Sequence, residues 1–315
     1  MELRQLRYFV AIVDHGSLSR AARVLHIAQP ALTQQVQQLE EELGAQLLHR
    51  SAQGVISTDA GKTFYEHAQA ILKQVEDARS AVAQSSDKPT GTVALGIPQS
   101  VSSALALPLL TAVREAYPDI TLQLTEELSG TLIEQLKSGR INLAVLFDDG
   151  QLGAFAGTPL VEEEMMFVTR TGSRFAPKKK SIPLASAVEL PLILPGLQHG
   201  VRPRIENIVR AEGLSINNVI DINSVAILKS ALLADLGATI LPVAPLLSEI
   251  EHGQMTAYPI TGAVISRSVT LCSSRNIPLT NAGNAVQRLV INVAHDLCTS
   301  GRWLGAKSTA TSRQG

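Results

Sequence analysis

Apolar residues recur at helical spacing through the first 86 positions. Leu3, Leu6, Phe9, Val10 and Val13 fall on one helical face. Gly16 ends that helix, and Ser17 is a good N-cap for the next. Leu18, Ala21, Ala22 and Leu25 then form a narrow stripe, with alanines where another helix can approach closely. Pro30 stands where a first-turn proline is tolerated, because its missing N–H would be unpaired anyway. Leu32, Val36, Leu39 and Leu43 continue the periodicity until Gly44 closes the third helix. In "LLHRSAQGVIST" (47–58) two short apolar pieces flank Ser51–Gly54, the pattern of a small β-hairpin, or wing. Thr58 caps a long helix whose stripe runs Phe64, Ala68, Ile71, Leu72, Val75, Ala78, Val82. That face is larger than so small a unit needs, which predicts packing against a second copy.

"SSDKPTG" (85–91) reads as a hinge-like linker. Beyond it the period changes. "TVALGI", "TLQLT", "INLAVLF", "MFVT", "LILP", "VIDIN", "ATILP" and "VTLCSS" read as strands. Helical stretches around 102–116, 131–138, 202–212, 225–235 and 281–298 alternate with them, an order that argues for parallel-rich α/β sheets covered by helices. These residues suit either one large sheet or two small subdomains. The tail "KSTATSRQG" is expected to be disordered, and no repeat at solenoid spacing occurs.

A chain of 315 residues accommodates two domains, and 45% hydrophobic with 17% charged residues suits an ordered globular protein. The net charge of -1 by itself points to neither nucleic acid nor membrane. Cys272 and Cys298 are too few for a disulfide framework and form no CxxC, so both read as reduced core residues. Arg4, Arg7 and Asp14 interrupt the apolar positions of the first helix, which is therefore not expected to be a secretory leader, and no run reaches the roughly 18 apolar residues of a spanning helix. The expectation is a cytoplasmic protein with no membrane association. The seven histidines are scattered without metal-ligand spacing, and no GxSxG, Walker or GxGxxG motif occurs. No metal, cofactor or catalytic set is expected. "PKKK" (177–180), "EEE" (162–164) and Glu40–Glu42 read as solvated, and Met165–Met166 as core.

Two helices joined by a three- or four-residue turn form a helix-turn-helix, whose second helix enters the DNA major groove by its N-terminal end. That end carries Gln29, Pro30, Thr33 and Gln34. Gln can bond an adenine edge in a bidentate manner, Thr can bond a base or meet a thymine methyl, and Pro offers apolar contact. The alternative is a three-helix core with a solvated polar face. Through residue 65 the module is neutral, with six basic and six acidic residues. The signs are segregated. Arg20 and Arg23 lie on the second helix and Arg50 at the wing, whereas Glu40–Glu42 lie at the far end of the third. Phosphate contacts need local rather than net charge.

Residues 3–61, "LRQLRYFVAIVDHGSLSRAARVLHIAQPALTQQVQQLEEELGAQLLHRSAQGVISTDAG", resemble the LysR-type transcriptional regulators of bacteria. The resemblance continues more thinly through "LKSGRINLAVL" (136–146) and "GATILP" (237–242). "HIAQPALTQQV" and "GKTFYEHAQAILKQ" are similar to the subgroup that includes the nitrogen assimilation control regulators. The family implies an α+β multidomain architecture. A winged helix-turn-helix (1–58) and a linker helix with hinge (59–90) precede a periplasmic-binding-protein-like α/β effector domain (91–315). The latter would hold two Rossmann-like subdomains, about 91–163 with 267–300, and about 164–266. Also implied are homodimers through the linker helix, often paired into homotetramers, and partners comprising double-stranded promoter DNA, a small-molecule effector and RNA polymerase.

Carried onto this chain, Gln29, Pro30 and Thr33 match base-reading positions, and Ser17, Arg20 and Arg50 match positions that meet the phosphate backbone. Position 34, often Arg in the family, is Gln34 here, which removes a phosphate or guanine contact, so the operator sequence cannot be copied from relatives. Ser100, Ser129, Arg202 and Ser224 match positions lining the effector cleft. Each has a plainer role open to it: the serines as N-caps, and Arg202 as partner of Glu206 one helical turn on. Pro98 departs from the expected effector loop and would narrow the cleft. The competing functions are a cytosolic small-molecule binding protein with a helical oligomerisation module, and an enzyme using the α/β domain. The Gln-Pro helix start disfavours the first, and the missing nucleophile, base pair or metal set disfavours the second.

Overall fold

The computed structural model describes residues 1–309 apart from 52–53, 84–87, 149, 151 and 198–199. The expected wing tip, much of the hinge and His199 therefore lie outside the described residues. The chain divides into two compact units, one built on Met1–Gln84, the other on Ser85–Lys137 and Ile141–Gly315.

The first unit runs α1 (Leu3–His15), α2 (Leu18–Val24), α3 (Gln29–Leu43), β1 (Leu48–Ser51), β2 (Gly54–Ser57) and α4 (Asp59–Ala83). Phe9, Ile12, Ala21, Ala22, Leu32, Val36, Leu39, Leu47 and Leu48 form its core, with Phe64 of α4 edge-on to Phe9 at 5.1 Å. The two alanines let α2 sit against its neighbours with little side chain between. Gly16 and Gly44 end α1 and α3 in the left-handed conformation that glycine adopts without a Cβ clash. Glu40 departs from the expected solvated face. Its carboxylate accepts from the backbone N–H groups of Leu47 (2.7 Å) and Leu48 (3.0 Å), holding the chain where it turns into the wing.

The second unit continues with β3 (Gly91–Ile97), α5 (Gln99–Ala116), β4 (Ile120–Glu126), α6 (Ser129–Ser138), β5 (Leu143–Phe147) and β6 (Phe155–Arg170). β7 (Ile182–Pro183), α7 (Leu184–Val188), β8 (Leu192–Leu194), α8 (Val201–Ala211), β9 (Val219–Asp221), α9 (Val225–Leu233) and β10 (Thr239–Pro242) follow. The chain then forms α10 (Leu247–Glu251), β11 (Met255–Tyr258), β12 (Ile260–Thr261), β13 (Ser266–Ser274), α11 (Asn281–Thr299) and β14 (Ala306–Ser308). Strands pair in the order β10-β6-β13-β5-β3-β4, with β11 and β14 also on β6. β3 is parallel to β4 and β5, whereas β13 is antiparallel to β5 and β6. One core gathers Leu95, Leu105, Leu143, Leu271 and Val286; another gathers Phe167, Ile193, Ile205, Leu232 and Ile240. β6 runs from one core to the other, through Leu160 and Val161 in the first and Met165 and Phe167 in the second.

Two further expectations need correction. The run 162–164 is not a wholly solvated face: it lies inside β6, which begins at Phe155. Strand alternation turns Glu163 inward, where it is 1% exposed, while Glu162 and Glu164 face the other way. Three consecutive carboxylates mask the apolar alternation that would otherwise mark the strand. The tail is likewise ordered further than expected, since Lys307 and Ser308 pair with β6 in β14.

Candidate functional site

Leu25–Ala28 joins α2 to α3, with His26 in the left-handed region (φ 54°). Ala28 is extended and Pro30 stands in the first turn of α3, so the chain reverses sharply and starts the helix with its first N–H groups open. Leu32, Val36 and Leu39 are buried on the inner face. On the outer face Gln29, Pro30 and Gln34 are exposed and Thr33 is half-buried. Ser17 caps α2 by accepting from the Arg20 N–H at 3.4 Å, and Arg20 and Arg23 are exposed. Sequence reasoning missed Ser19, whose hydroxyl donates to Gln29 Oε1 at 2.8 Å and brings the first turns of α2 and α3 together. Arg50 stands on β1 opposite Val55; its side chain lies outside the described set.

The wing is locked to the rest of the unit by backbone. Val55 N–H donates to Gly16 O at 2.9 Å, and a Cβ on Gly54 would lie 2.6 Å from that same oxygen. Thr58 ties the start of α4 down twice, through N–H to Leu47 O (2.9 Å) and Oγ1 to Gln46 O (2.7 Å). Acidic groups are held elsewhere: Glu42 on the N-terminal amine, Asp59 on Lys62, Glu2 on Arg4. Among the described residues Arg20 and Arg23 have no ion-pair partner, leaving their charge for an external anion.

The second unit encloses a cavity of about 70 Å³, room for roughly five waters and so for a small organic ligand. Most of its wall is apolar, including Pro98, Phe147, Val201, Ile222, Leu228 and Leu241. Ser100 and Ser129 line it, as do Gln99, Glu127, Asn223 and Arg267. Four helices, α5, α6, α8 and α9, present their first residues to it, and unpaired N–H groups at such ends favour negative charge.

The structure places Arg202 and Ser224 differently. Arg202 is buried and pairs with Glu206 (2.6 Å) and Asp221 (3.0 Å), and neither it nor Ser224 is in the cavity wall. Ser224 caps α9 by accepting from Ile227 N–H, which puts its neighbours Asn223 and Val225 on the cavity instead.

The sequence did not point to Arg267. It is 3% exposed, directly opposite Glu163 in the β6–β13 register. Its Nε and Nη2 each lie 2.6 Å from Glu163 Oε2, and Nη2 also donates to Ser100 Oγ at 2.9 Å. Its guanidinium lies over the Phe147 ring at 3.9 Å. Nη1 is buried with no partner among the described residues. Burial pushes the guanidinium pKa down and Glu163 opposes this; an arginine stays cationic regardless. A lone "R" inside "ISRSVTL" carries no sequence signal, because only its partner on β6 makes it a site.

Residues 3–62 match the family described as "Bacterial regulatory helix-turn-helix protein, lysR family", and residues 86–294 match "LysR substrate binding domain". The chain is 37% identical to the nitrogen assimilation regulatory protein nac of Klebsiella aerogenes over 296 residues, 93% of this chain and 95% of that protein. It is 25% identical over 281 residues to the hydrogen peroxide-inducible genes activator of Haemophilus influenzae, covering 89% and 93%. Among solved structures, CbnR, a LysR family transcriptional regulator, superposes with a TM-score of 0.67 at 22% identity, covering 93% of this chain and 99% of that one. Full-length BenM gives 0.58 at 25%, covering 97% and 99%.

Proposed function

The chain belongs to the LysR family of bacterial transcriptional regulators, and from that premise we propose how its two units divide the work. The first reads promoter DNA. The observation that carries this is the exposed start of α3, where Gln29, Pro30 and Gln34 face outward with Thr33 beside them. Gln29 and Thr33 take base edges, and Ser17, Arg20 and Arg50 take phosphates. Gln34 contributes a neutral amide where an arginine would add a phosphate or guanine contact. The protein acts as a homodimer or homotetramer. α4 supports this, leaving Ile71 38% and Val82 89% exposed, apolar surface that a second copy would cover. A dimer places two reading helices about 34 Å apart, which calls for a two-fold symmetric operator. RNA polymerase is the partner through which a promoter-bound regulator acts.

The second unit takes a small-molecule effector in its cavity. The apolar wall suits a compact hydrocarbon body, and the converging helix starts, with cationic Arg267 in the wall and its Nη1 unpartnered among the described residues, suit one carboxylate-like head. Thiol-based peroxide sensing fits poorly. Burial pushes the Cys272 thiol up to about 12 and the Cys298 thiol up to about 11, so the reactive thiolate is scarce at neutral pH.

The purified protein, incubated with sheared DNA of its own organism, should retain a few intergenic fragments sharing a two-fold symmetric motif. Uniform retention, or none, would overturn the reading of α3 as a sequence reader. Among the described residues no helix is long and apolar enough to cross a membrane.

A further inference from the structure

The segment after α11 forms a strap over β6. Trp303 N–H bonds back to Leu297 O, Glu164 N–H donates to Gly305 O at 2.9 Å, β14 pairs with Val161–Glu163, and Thr309 N–H donates to Leu160 O. This strap lies beyond residue 294, where the match to the family's domain ends. Trp303, the chain's single tryptophan, is 1% exposed, and its indole Nε1–H donates to Glu163 Oε1 at 2.8 Å. The other oxygen of that carboxylate takes Arg267, and Arg267 in turn holds Ser100 and covers Phe147, both in the cavity wall. An unbroken line of contacts thus runs from the C-terminal strap to the cavity.

We propose that Trp303 is a positioning residue for the cavity: through Glu163 it holds Arg267 against Ser100 and Phe147, with Nη1 unpartnered among the described residues, so cavity and strap respond together. Glu163 is a buried carboxylate with each oxygen engaged by a different donor. Taking the indole away leaves a buried carboxylate oxygen without a donor, and taking the guanidinium away leaves a buried charge uncompensated; in either case the carboxylate turns toward the donor that remains. Arg267 cannot turn without Glu163, because two of its nitrogens share one oxygen of that group. A change at Ser100 or at Arg267 Nη1 therefore reaches the indole, and loss of the indole N–H reaches the guanidinium. That the cavity takes a carboxylate rests on the proposed function above; the coupling itself does not.

One tryptophan gives one indole peak in a ¹H–¹⁵N spectrum of the full chain. Ser100→Ala alters a half-buried hydroxyl that does not touch Trp303, and the expected result is a displaced indole peak. An indole peak at the wild-type position in Ser100→Ala would overturn the coupling. Trp303→Phe, which keeps a ring and removes the N–H, tests the reverse direction on the Arg267 Nε–H signal. That signal should move; a fixed position would mean that the indole only fills space. Potassium acetate, the probe for a carboxylate head, should displace the indole peak of the wild type and not of Arg267→Met. A displaced peak in Ser100→Ala with no response to acetate supports the coupling and rejects the carboxylate reading alone.

Discussion

The hydroxyl of Ser19 donates to the side-chain oxygen of Gln29 at 2.8 Å, tying the first turn of α2 to the first turn of α3. Both residues are exposed, so the bond orders a side chain that solvent would otherwise leave free. It also fixes which end of the amide faces out: with Oε1 held, Nε2 is presented as a donor. A reading side chain held before DNA arrives loses less rotamer freedom on binding.

Ser19→Ala is expected to weaken binding to the specific operator by about 1 kcal/mol, the ordinary worth of a neutral hydrogen bond. Non-specific binding and the salt slope should stay as in wild type, because no phosphate contact is lost. Titrations on operator and scrambled DNA at several salt concentrations would check this. Equal weakening on both DNAs would mean that Ser19 itself contacts the backbone.

Gln29→Ala and Thr33→Ala should each cost roughly 1–3 kcal/mol on the operator alone. Arg20→Ala should weaken binding to every sequence and lower the salt slope by about 1. The same titrations separate the two classes, and a sequence-selective effect of Arg20→Ala would count against its phosphate role.

A methyl group at Gly61 would stand 2.0 Å from the carbonyl oxygen of Leu47, an atom already fixed by the Thr58 N–H. Backbone on both sides leaves nothing to yield. Gly61→Ala should therefore destabilise the first unit by at least about 2 kcal/mol despite its better helix propensity. Chemical denaturation of the full chain, with Gly130→Ala as control, would show it; open space surrounds Gly130, and that change should be mild.

Burial, then the bond to Asp14, raises the Tyr65 hydroxyl to about 12 from an ordinary 10.0, and burial, then the charge of Asp148, raises the Cys272 thiol to about 12 from 9.0. Below the ordinary values both groups are protonated in either state, and their contribution to stability is fully present. As pH rises beyond those values the unfolded chain releases its protons first, so stability falls toward about pH 12. Tyr65→Phe should flatten that alkaline slope for the first unit and Cys272→Ala for the second, as read by urea midpoints at pH 8 to 11. At pH 8 folded Cys272 should also resist iodoacetamide, with a thiolate fraction on the order of one in ten thousand, until urea exposes it.

The helix-turn-helix was legible in the sequence because each of its cues is local. Glycine at helix ends, Ser17 before α2, Pro30 in a first turn and apolar residues at helical spacing all act within a few residues of chain. The same holds for the alternation of strands and helices after residue 91. β6 was hidden over its first eleven residues, in part because Glu162–Glu164 carry opposite fates at adjacent positions, which no count of charges separates.

Most of the long elements, their order, and the end of α3 that carries polar side chains follow from the chain read alone. Propensity, capping and periodicity depend on neighbours along the chain. Which polar groups meet depends on how the sheet assembles. The tertiary structure gave Arg202 to Glu206 and Asp221, and it set Arg267, Glu163, Ser100 and Trp303 in contact across separations of up to 167 residues. A buried charge is tolerable only beside its partner, and the β6–β13 register that brings that partner in is a property of the folded sheet.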